Sequence, residues 1–419
     1  MDRIEKNKII SEARKVTKAK RLKQQCVTLK FKVDQSSLSR IQKESIKMYF
    51  IEAKRIYNYI LSLIKKDRDI FSLTYKDLNY ITYLDKDGNI NDYTIQYLKS
   101  SIVDEILNVM KESIKGLSAS KKKGRKVGSL KFKSEYNSIR LRQYGTTHSI
   151  KGNRIKIQGI KKPIRVNGLK QLDKYKNPDY TTANLLYDGY DYYISLTCFI
   201  DKKNKITNDT IIGLDFGCSN AITTSDGRTI NVSIGESERL KGLQAKLASQ
   251  KKRSNNWYKT RLKIRKEYNR MNNWKNDLSN KIVHELSEYG TVVIQDDQFQ
   301  EWHEDKKLSG IVQHSILGRV KSKLLRKDNV FVLDQWFPTT KHCFNCGTDV
   351  NMELSQRTFK CPVCGETENR DVHAAMNMIE FYKILQSAGT VDLKPGKKIS
   401  YDKCKDLFRQ EAPLSLAAE

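Results

Sequence analysis

The sequence predicts a multidomain α+β protein. A β-barrel module carries a helical insertion, and an α/β sheet domain follows, interrupted by a four-cysteine element. Three observations lead there. Short alternating segments recur from Ser138 to Ile206 and match an earlier one, Cys26–Val33. Two apolar runs end in acid, Thr210-Ile-Ile-Gly-Leu-Asp215 and Tyr289-Gly-Thr-Val-Val-Ile-Gln-Asp-Asp297, with helical sequence between them. Cys343, Cys346, Cys361 and Cys364 form two CxxC knuckles separated by 14 residues.

At 419 residues the chain can build several cores, and its formal charge of +30 calls for a polyanion, nucleic acid ahead of a membrane surface. No apolar run of 18 residues offers a membrane span, and Met1-Asp-Arg-Ile-Glu-Lys lacks a secretory apolar core. The expectation is a soluble cytoplasmic protein with no membrane partner. Cys26, Cys198, Cys218 and Cys404 stand singly and are expected to be core thiols in a reducing compartment.

Residues 1–25 form a lysine-rich arm with weak helical spacing, either solvated or lying on RNA. After the Cys26–Val33 strand the period changes to helical, with Ile41, Ile46, Tyr49, Phe50, Ala53, Ile56, Tyr57 and Ile60 on one stripe. A second helix is expected from Asn91 to Leu117, beyond a Lys86-Asp-Gly-Asn turn, so residues 36–118 read as a helical domain. It is inserted into the β-barrel of residues 26–35 and 119–206. Ser118–Lys133 is basic and glycine-punctuated, and Arg125, Lys126, Lys131 and Lys133 are candidate phosphate contacts.

A strand at Ile211–Asp215 and a hairpin through Ser225-Asp-Gly-Arg228 open the third part. Glu236–Glu288 is helical, with stripes at Leu240, Leu243 and Leu247 and at Trp274, Leu278, Ile282 and Leu286. Between them lie Lys251, Lys252, Arg253, Arg261 and Arg265, interleaved with Trp257, Tyr258 and Tyr268, a candidate nucleic-acid surface. Helical sequence from Gln298 to Lys327 leads to a strand ending at Asp334. The cysteine element occupies 338–365, and a helix opens near Asp371. The α/β domain thus comprises 207–337 and 366–384, and 385–419 is expected to be a flexible tail.

Acids at the carboxyl ends of strands stand where α/β folds place their sites. Asp215 and Asp371 are the two that a cap or turn role explains least. Carboxylates there suit Mg²⁺, two of which can activate water and stabilise a leaving oxygen in phosphodiester cleavage. Four thiolates in two knuckles suit one zinc, and with no ligand position left for water that zinc is structural.

Gly213-Leu-Asp-Phe-Gly, Pro338-Thr-Thr-Lys-His-Cys343 and Asn369-Arg-Asp-Val-His-Ala-Ala-Met-Asn together resemble the split RuvC nuclease of TnpB proteins. These are transposon-encoded, RNA-guided DNA endonucleases related to type V CRISPR effectors. Gly124–Lys133 and Tyr192-Tyr-Ile-Ser-Leu are similar to the family's wedge domain, and the resemblance spans about residues 26–380. It implies an RNase H-like (RuvC) domain with an inserted zinc ribbon, a wedge barrel and a helical recognition domain. It further implies a guide RNA, a target double-stranded DNA with a short adjacent motif, Mg²⁺-dependent cleavage and a prokaryotic cytosol. Monomer and dimer stay open. Two positions depart from the family pattern. Gln295 stands where the second motif has glutamate, and His373 replaces an asparagine. Either a neighbouring acid substitutes or cleavage is lost, leaving a nuclease-deficient, repressor-like RNA-guided DNA-binding protein. Asp297, on the same face of an extended strand as Gln295, is the first substitute, with Asp296 and Asp334 as alternatives.

Overall fold

The computed structural model describes residues 3–410 apart from 86, 203–207, 218–221, 232–233, 305–307, 354 and 390–392. It divides into two compact units, residues 1–203 and 204–419.

The first unit opens with α1 (Arg3–Leu22) and β1 (Gln24–Val33). Helix α2 (Arg40–Lys65) starts at a capping box, with Ser39 accepting from the Gln42 amide and Gln42 accepting from the Ser39 amide. Strands β2 (Tyr80–Leu84) and β3 (Ile90–Thr94) pair as a hairpin, and α3 (Ser100–Lys122) follows. The second helix therefore begins nine residues later than its expected start at Asn91. Ile81 is buried and Tyr83 meets Tyr93 edge-on, so the alternation either side of the 86–89 turn prevails over the helical stripe. The insertion is thus helical with a β-hairpin.

Strands β4 (Ser138–Leu141), β5 (His148–Lys151), β6 (Arg154–Ile157), β7 (Ile164–Asn167), β8 (Asp179–Tyr187) and β9 (Tyr192–Asp201) complete the unit. With β1 they form one seven-stranded sheet in the order β4-β8-β9-β1-β7-β6-β5. β1 joins these strands as its alternation suggests, and it is central, pairing with β9 and β7. The ladder leaves β4 and β5 as the two edges, where a closed barrel was expected. Phe31, Ile139, Ile155, Leu185 and Ile194 pack with Ile46, Tyr49 and Ile56 of α2 in one core.

In the second unit, β10 (Ile211–Asp215), β11 (Ile222–Thr224) and β12 (Thr229–Ile230) form an antiparallel meander. Helices α4 (Glu238–Ser249) and α5 (Asn255–Leu286) lead to β13 (Thr291–Gln295). Helices α6 (Phe299–Glu304), α7 (Ser309–His314) and α8 (Leu317–Leu324) lead to β14 (Val330–Leu333). The cysteine element holds the hairpin β15 (Thr358–Lys360) and β16 (Thr367–Asn369), and α9 (Arg370–Ala388) follows directly. The chain then adds β17 (Lys398–Ile399) and α10 (Lys405–Gln410). The sheet runs β12-β11-β10-β13-β14-β17, with β10, β13, β14 and β17 mutually parallel.

β10, β13 and β14 are largely buried on both faces, which explains their continuous apolar runs. Ile212, Leu214, Val292 and Ile294 face Ile282, Leu286, Leu317 and Val320 of α5 and α8. On the opposite face Val293 and Leu333 meet Met378, Phe381 and Leu385 of α9. Gly213 permits α9 to lie against β10, because a Cβ there would collide with the Ala375 carbonyl oxygen.

Several expectations change. Residues 385–419 are not simply a flexible tail: β17 extends the sheet, and Ile399, Cys404 and Phe408 pack around Phe337 and Phe381. Trp274 is 59 % exposed, so the apolar stripe of α5 begins at Leu278. Cys198 and Cys404 are buried as expected, Cys26 is exposed, and Cys218 lies outside the described residues.

Candidate functional site

All three favoured acids lie at one end of the second unit's sheet. Asp215 ends β10, Asp297 follows β13 by two residues, and Asp371 occupies the first turn of α9. The Asn369 side chain caps that helix, accepting from the amides of Asp371 (2.9 Å) and Val372 (3.3 Å). Burial, then the charges of Asp297 and Asp371, push the Asp215 carboxyl up to about 8, against the pull of Arg370. Burial likewise pushes Asp297 up to about 7, with the Lys321 ammonium opposing it. Oδ2 of Asp297 is buried and has no hydrogen-bond partner among the described residues.

The alternatives are committed elsewhere. Asp296 receives Lys321 Nζ at 2.9 Å and lies 3.4 Å from Lys398 Nζ. Burial opposes its ionisation, but those ammonium groups hold its carboxyl below the usual range. Asp334 accepts from the backbone amides of Trp336 (3.0 Å) and Tyr401 (2.9 Å), anchoring the segment after β17. Gln295 is buried, its amide donating to the carbonyls of Asp334 and Phe337 and accepting from Thr339 Oγ1. Lys321, which also donates to the Asp297 carbonyl at 2.8 Å, carries no signal in the sequence beyond a place on an amphipathic helix. It emerges only from how α8 packs.

The donors fit a hard cation. Three carboxylates lie at one end of the sheet, burial and neighbouring acids raise the pKa of two of them, and one buried oxygen lacks a donor; a divalent ion suits all three conditions. Among the described residues, only the four cysteines form a set of three or more candidate ligands whose atoms all lie within 4.8 Å. The acids therefore form a wider cradle than a single-ion cage.

In the cysteine element, Sγ of Cys343 lies 3.6 Å from that of Cys364, and Cys346 lies 3.5 Å from Cys361. A tetrahedron with metal–sulfur bonds of about 2.3 Å has edges of about 3.8 Å, so the cluster is of the size zinc requires. Phe359 is buried beneath it.

Of the candidate nucleic-acid contacts, Arg125, Lys126 and Lys131 are exposed in the irregular segment after α3. Lys133 differs: its ammonium lies over Tyr57 (4.1 Å) and Tyr136 (4.5 Å), and burial lowers its pKa. Lys251, Lys252 and Arg253 are exposed in the turn between α4 and α5, where Arg253 adopts φ of 67°. The Arg261 guanidinium covers the Trp257 ring at 4.6 Å, and Arg265 is half-buried with partners of its own.

The fold and site define a protein whose second unit joins an acid-bearing mixed sheet to a four-cysteine ribbon. Two family models match it: "Cas12f1-like, TNB domain" over residues 316–378 and "Probable transposase" over residues 195–296. The chain is 27 % identical over 227 residues to a protein of Streptomyces pristinaespiralis named as an RNA-guided DNA endonuclease, covering 52 % of this chain and 56 % of that one. It is 29 % identical over 219 residues to InsQ of Escherichia coli (strain K12), also so named, covering 45 % and 53 %. The chain thus spans about half the length of the curated relatives it matches. The cryo-EM structure of a Cas12f1–sgRNA–target DNA complex aligns over 85 % of this chain and 99 % of its own, with a TM-score of 0.47 and 11 % identity. The two family models span the stretches whose motifs resemble those of TnpB proteins, residues 195–296 and 316–378. No described helix is long and apolar enough to cross a membrane.

Proposed function

We propose that this chain is an RNA-guided endonuclease that cleaves double-stranded DNA beside a short adjacent motif, through an RNase H-like (RuvC) site formed by Asp215, Asp297 and Asp371. The observation that supports this most is that three acids far apart in sequence lie at one end of one sheet, where burial and the charges of Asp297 and Asp371 raise the Asp215 carboxyl. The names of the curated relatives support the substrate class. The net charge of +30 suits both a guide RNA and a DNA target.

The three carboxylates would hold Mg²⁺, which when bound lowers the pKa of a water and stabilises charge on a leaving oxygen. Asp297 brings the unpartnered oxygen, standing in for the neutral Gln295. Asp296 pairs with the Lys321 ammonium, whose charge also favours the ionised form of Asp297. Asp215 must release its proton as the cation arrives, so ion binding strengthens as pH rises through 7 to 8. The four cysteines hold one structural zinc, and Arg125, Lys126, Lys131, Lys251, Lys252, Arg253 and Arg261 contact nucleic-acid backbone.

The test is guided cleavage of a matched duplex in Mg²⁺ or Mn²⁺. Asp215→Ala, Asp297→Ala and Asp371→Ala should each lose cutting by 100-fold or more while binding target as before. Normal cutting by Asp297→Ala would refute its assignment. Binding without cutting by the unmodified protein in both metals would instead identify a nuclease-silent, repressor-like protein.

A further inference from the structure

Both departures from the TnpB pattern lie two residues from a site acid, Gln295 before Asp297 and His373 after Asp371. Both side chains turn to one short strap, residues 337–342, which leads from β14 to the first ribbon cysteine. Gln295 Nε2 donates to the carbonyls of Asp334 (3.2 Å) and Phe337 (3.0 Å), while its Oε1 accepts from Thr339 Oγ1 (2.9 Å). From α9, Asn377 Nδ2 donates to the carbonyls of Thr339 (2.6 Å) and His342 (2.5 Å). His373 Nε2 donates to the same His342 carbonyl at 2.8 Å. The His373 ring also stacks on Phe359 of the ribbon hairpin, with centroids 3.5 Å apart and planes at 15°. Gln295, Thr339, His373 and Asn377 are all buried, so water cannot replace these bonds without opening the core.

The amide at position 295 is chemically required by this arrangement. It donates to two carbonyls and accepts once, whereas a carboxylate would set a second oxygen against those carbonyls. The strap is thus gripped by β13, which delivers Asp297, and by α9, which delivers Asp371. Its far end is fixed by the cysteine cluster.

We infer that Gln295 and His373 are positioning residues that couple occupancy of the ribbon's zinc site to divalent-ion affinity at the acid site. The inference rests on reading the three acids as an ion site. Without zinc, four crowded thiols no longer tie Cys343 to the hairpin that carries Phe359, and the strap loses its fixed end. β13 and α9 then lose their common reference, and the spacing of Asp297 and Asp371 relaxes. The coupling is reciprocal, so ion binding at the acids also strengthens zinc retention.

The experiment titrates Mn²⁺ into the full chain and follows free Mn²⁺ by electron paramagnetic resonance. Mn²⁺ favours oxygen ligands and competes poorly for four thiolates. Asp215→Ala defines the signal belonging to the acid site. Cys361→Ser, which disables the ribbon, should weaken that binding at least tenfold. Gln295→Met with zinc retained should weaken it similarly, and the double variant should be no worse than the weaker single, because both break one linkage. Unchanged Mn²⁺ affinity in either single variant, or losses that multiply in the double, overturns the coupling. Gln295→Glu should weaken Mn²⁺ binding; tighter binding would make position 295 a ligand and overturn its role here. If Gln295→Met does not fold, His373→Phe keeps the stacking, removes the bond to His342, and carries the same outcomes. Absence of any Asp215-dependent Mn²⁺ binding in the zinc-loaded unmodified protein refutes the ion site itself, and this inference with it. Binding indifferent to zinc refutes the coupling alone.

Discussion

Replacing Asp215 with asparagine should stabilise the ion-free protein while abolishing its proposed activity. The Asp215 carboxyl rises from 3.8 to about 8, so the folded state binds its proton far more tightly than the unfolded chain does. A raised carboxyl pKa costs the native state nothing below pH 3.8. It costs progressively more as pH climbs from there toward 8, then levels off. At ~1.36 kcal/mol per pH unit, the full displacement is worth roughly 5 kcal/mol at pH 7.5. Asp215 retains partial solvent access, and neighbouring side chains relax, so about 1–3 kcal/mol is the expected gain. For a chain this large that raises the unfolding midpoint by roughly 1–4 °C. The assay is calorimetry on zinc-loaded protein dialysed free of Mg²⁺, at pH 4 and at pH 7.5. Asp215→Asn should match the unmodified protein at pH 4 and exceed it at pH 7.5. Saturating Mg²⁺ should then stabilise the unmodified protein more than the variant. A variant no better at pH 7.5 than at pH 4, or less stable there than the parent, would refute the reading of Asp215 as a repelled, enclosed carboxyl.

Further outcomes are equally concrete. Metal analysis should find about one zinc per chain, lost in Cys361→Ser together with several degrees of thermal stability. The protein should purify with RNA, and replacing Arg125, Lys126 and Lys131 with alanine should lower the salt slope of RNA binding by about 2, at about 0.7 for each phosphate no longer neutralised. Lys133→Ala should instead cost about 1 kcal/mol in unfolding experiments, because its ammonium packs on Tyr57 and Tyr136. Gly213→Ala should destabilise the second unit by about 3 kcal/mol or more in denaturant titration, since α9 cannot retreat from the added methyl group without opening its core.

Much of this was legible in the chain. The ribbon follows from thiol spacing alone, because two CxxC turns each place two sulfurs within reach of one ion and only their pairing is left to the fold. Asp215 and Asp371 were legible because each lies at the boundary of a regular element, where local periodicity fixes the direction of the backbone. That β1 joins the later strands was legible in its alternation; its central place comes from pairing with β9 and β7.

What remained depended on groups distant in sequence. Strand alternation alone ranks Asp297 ahead of Asp296 and Asp334 as strand-end acids, without showing what engages the other two. The fold separates them because Lys321 arrives at Asp296 from α8 and the Tyr401 amide arrives at Asp334 from beyond β17. Those interactions consume two of the three carboxylates and leave Asp297 with an unpartnered oxygen. The sixth strand was hidden for a different reason: Lys398–Ile399 is too short to show a period, and it is a strand only because β14 offers an open edge. The amide of Gln295 reads in sequence as a missing ligand. In the folded chain it is a three-bond tie to the ribbon strap, since only the tertiary fold brings the Asp334 and Phe337 carbonyls and the Thr339 hydroxyl around it.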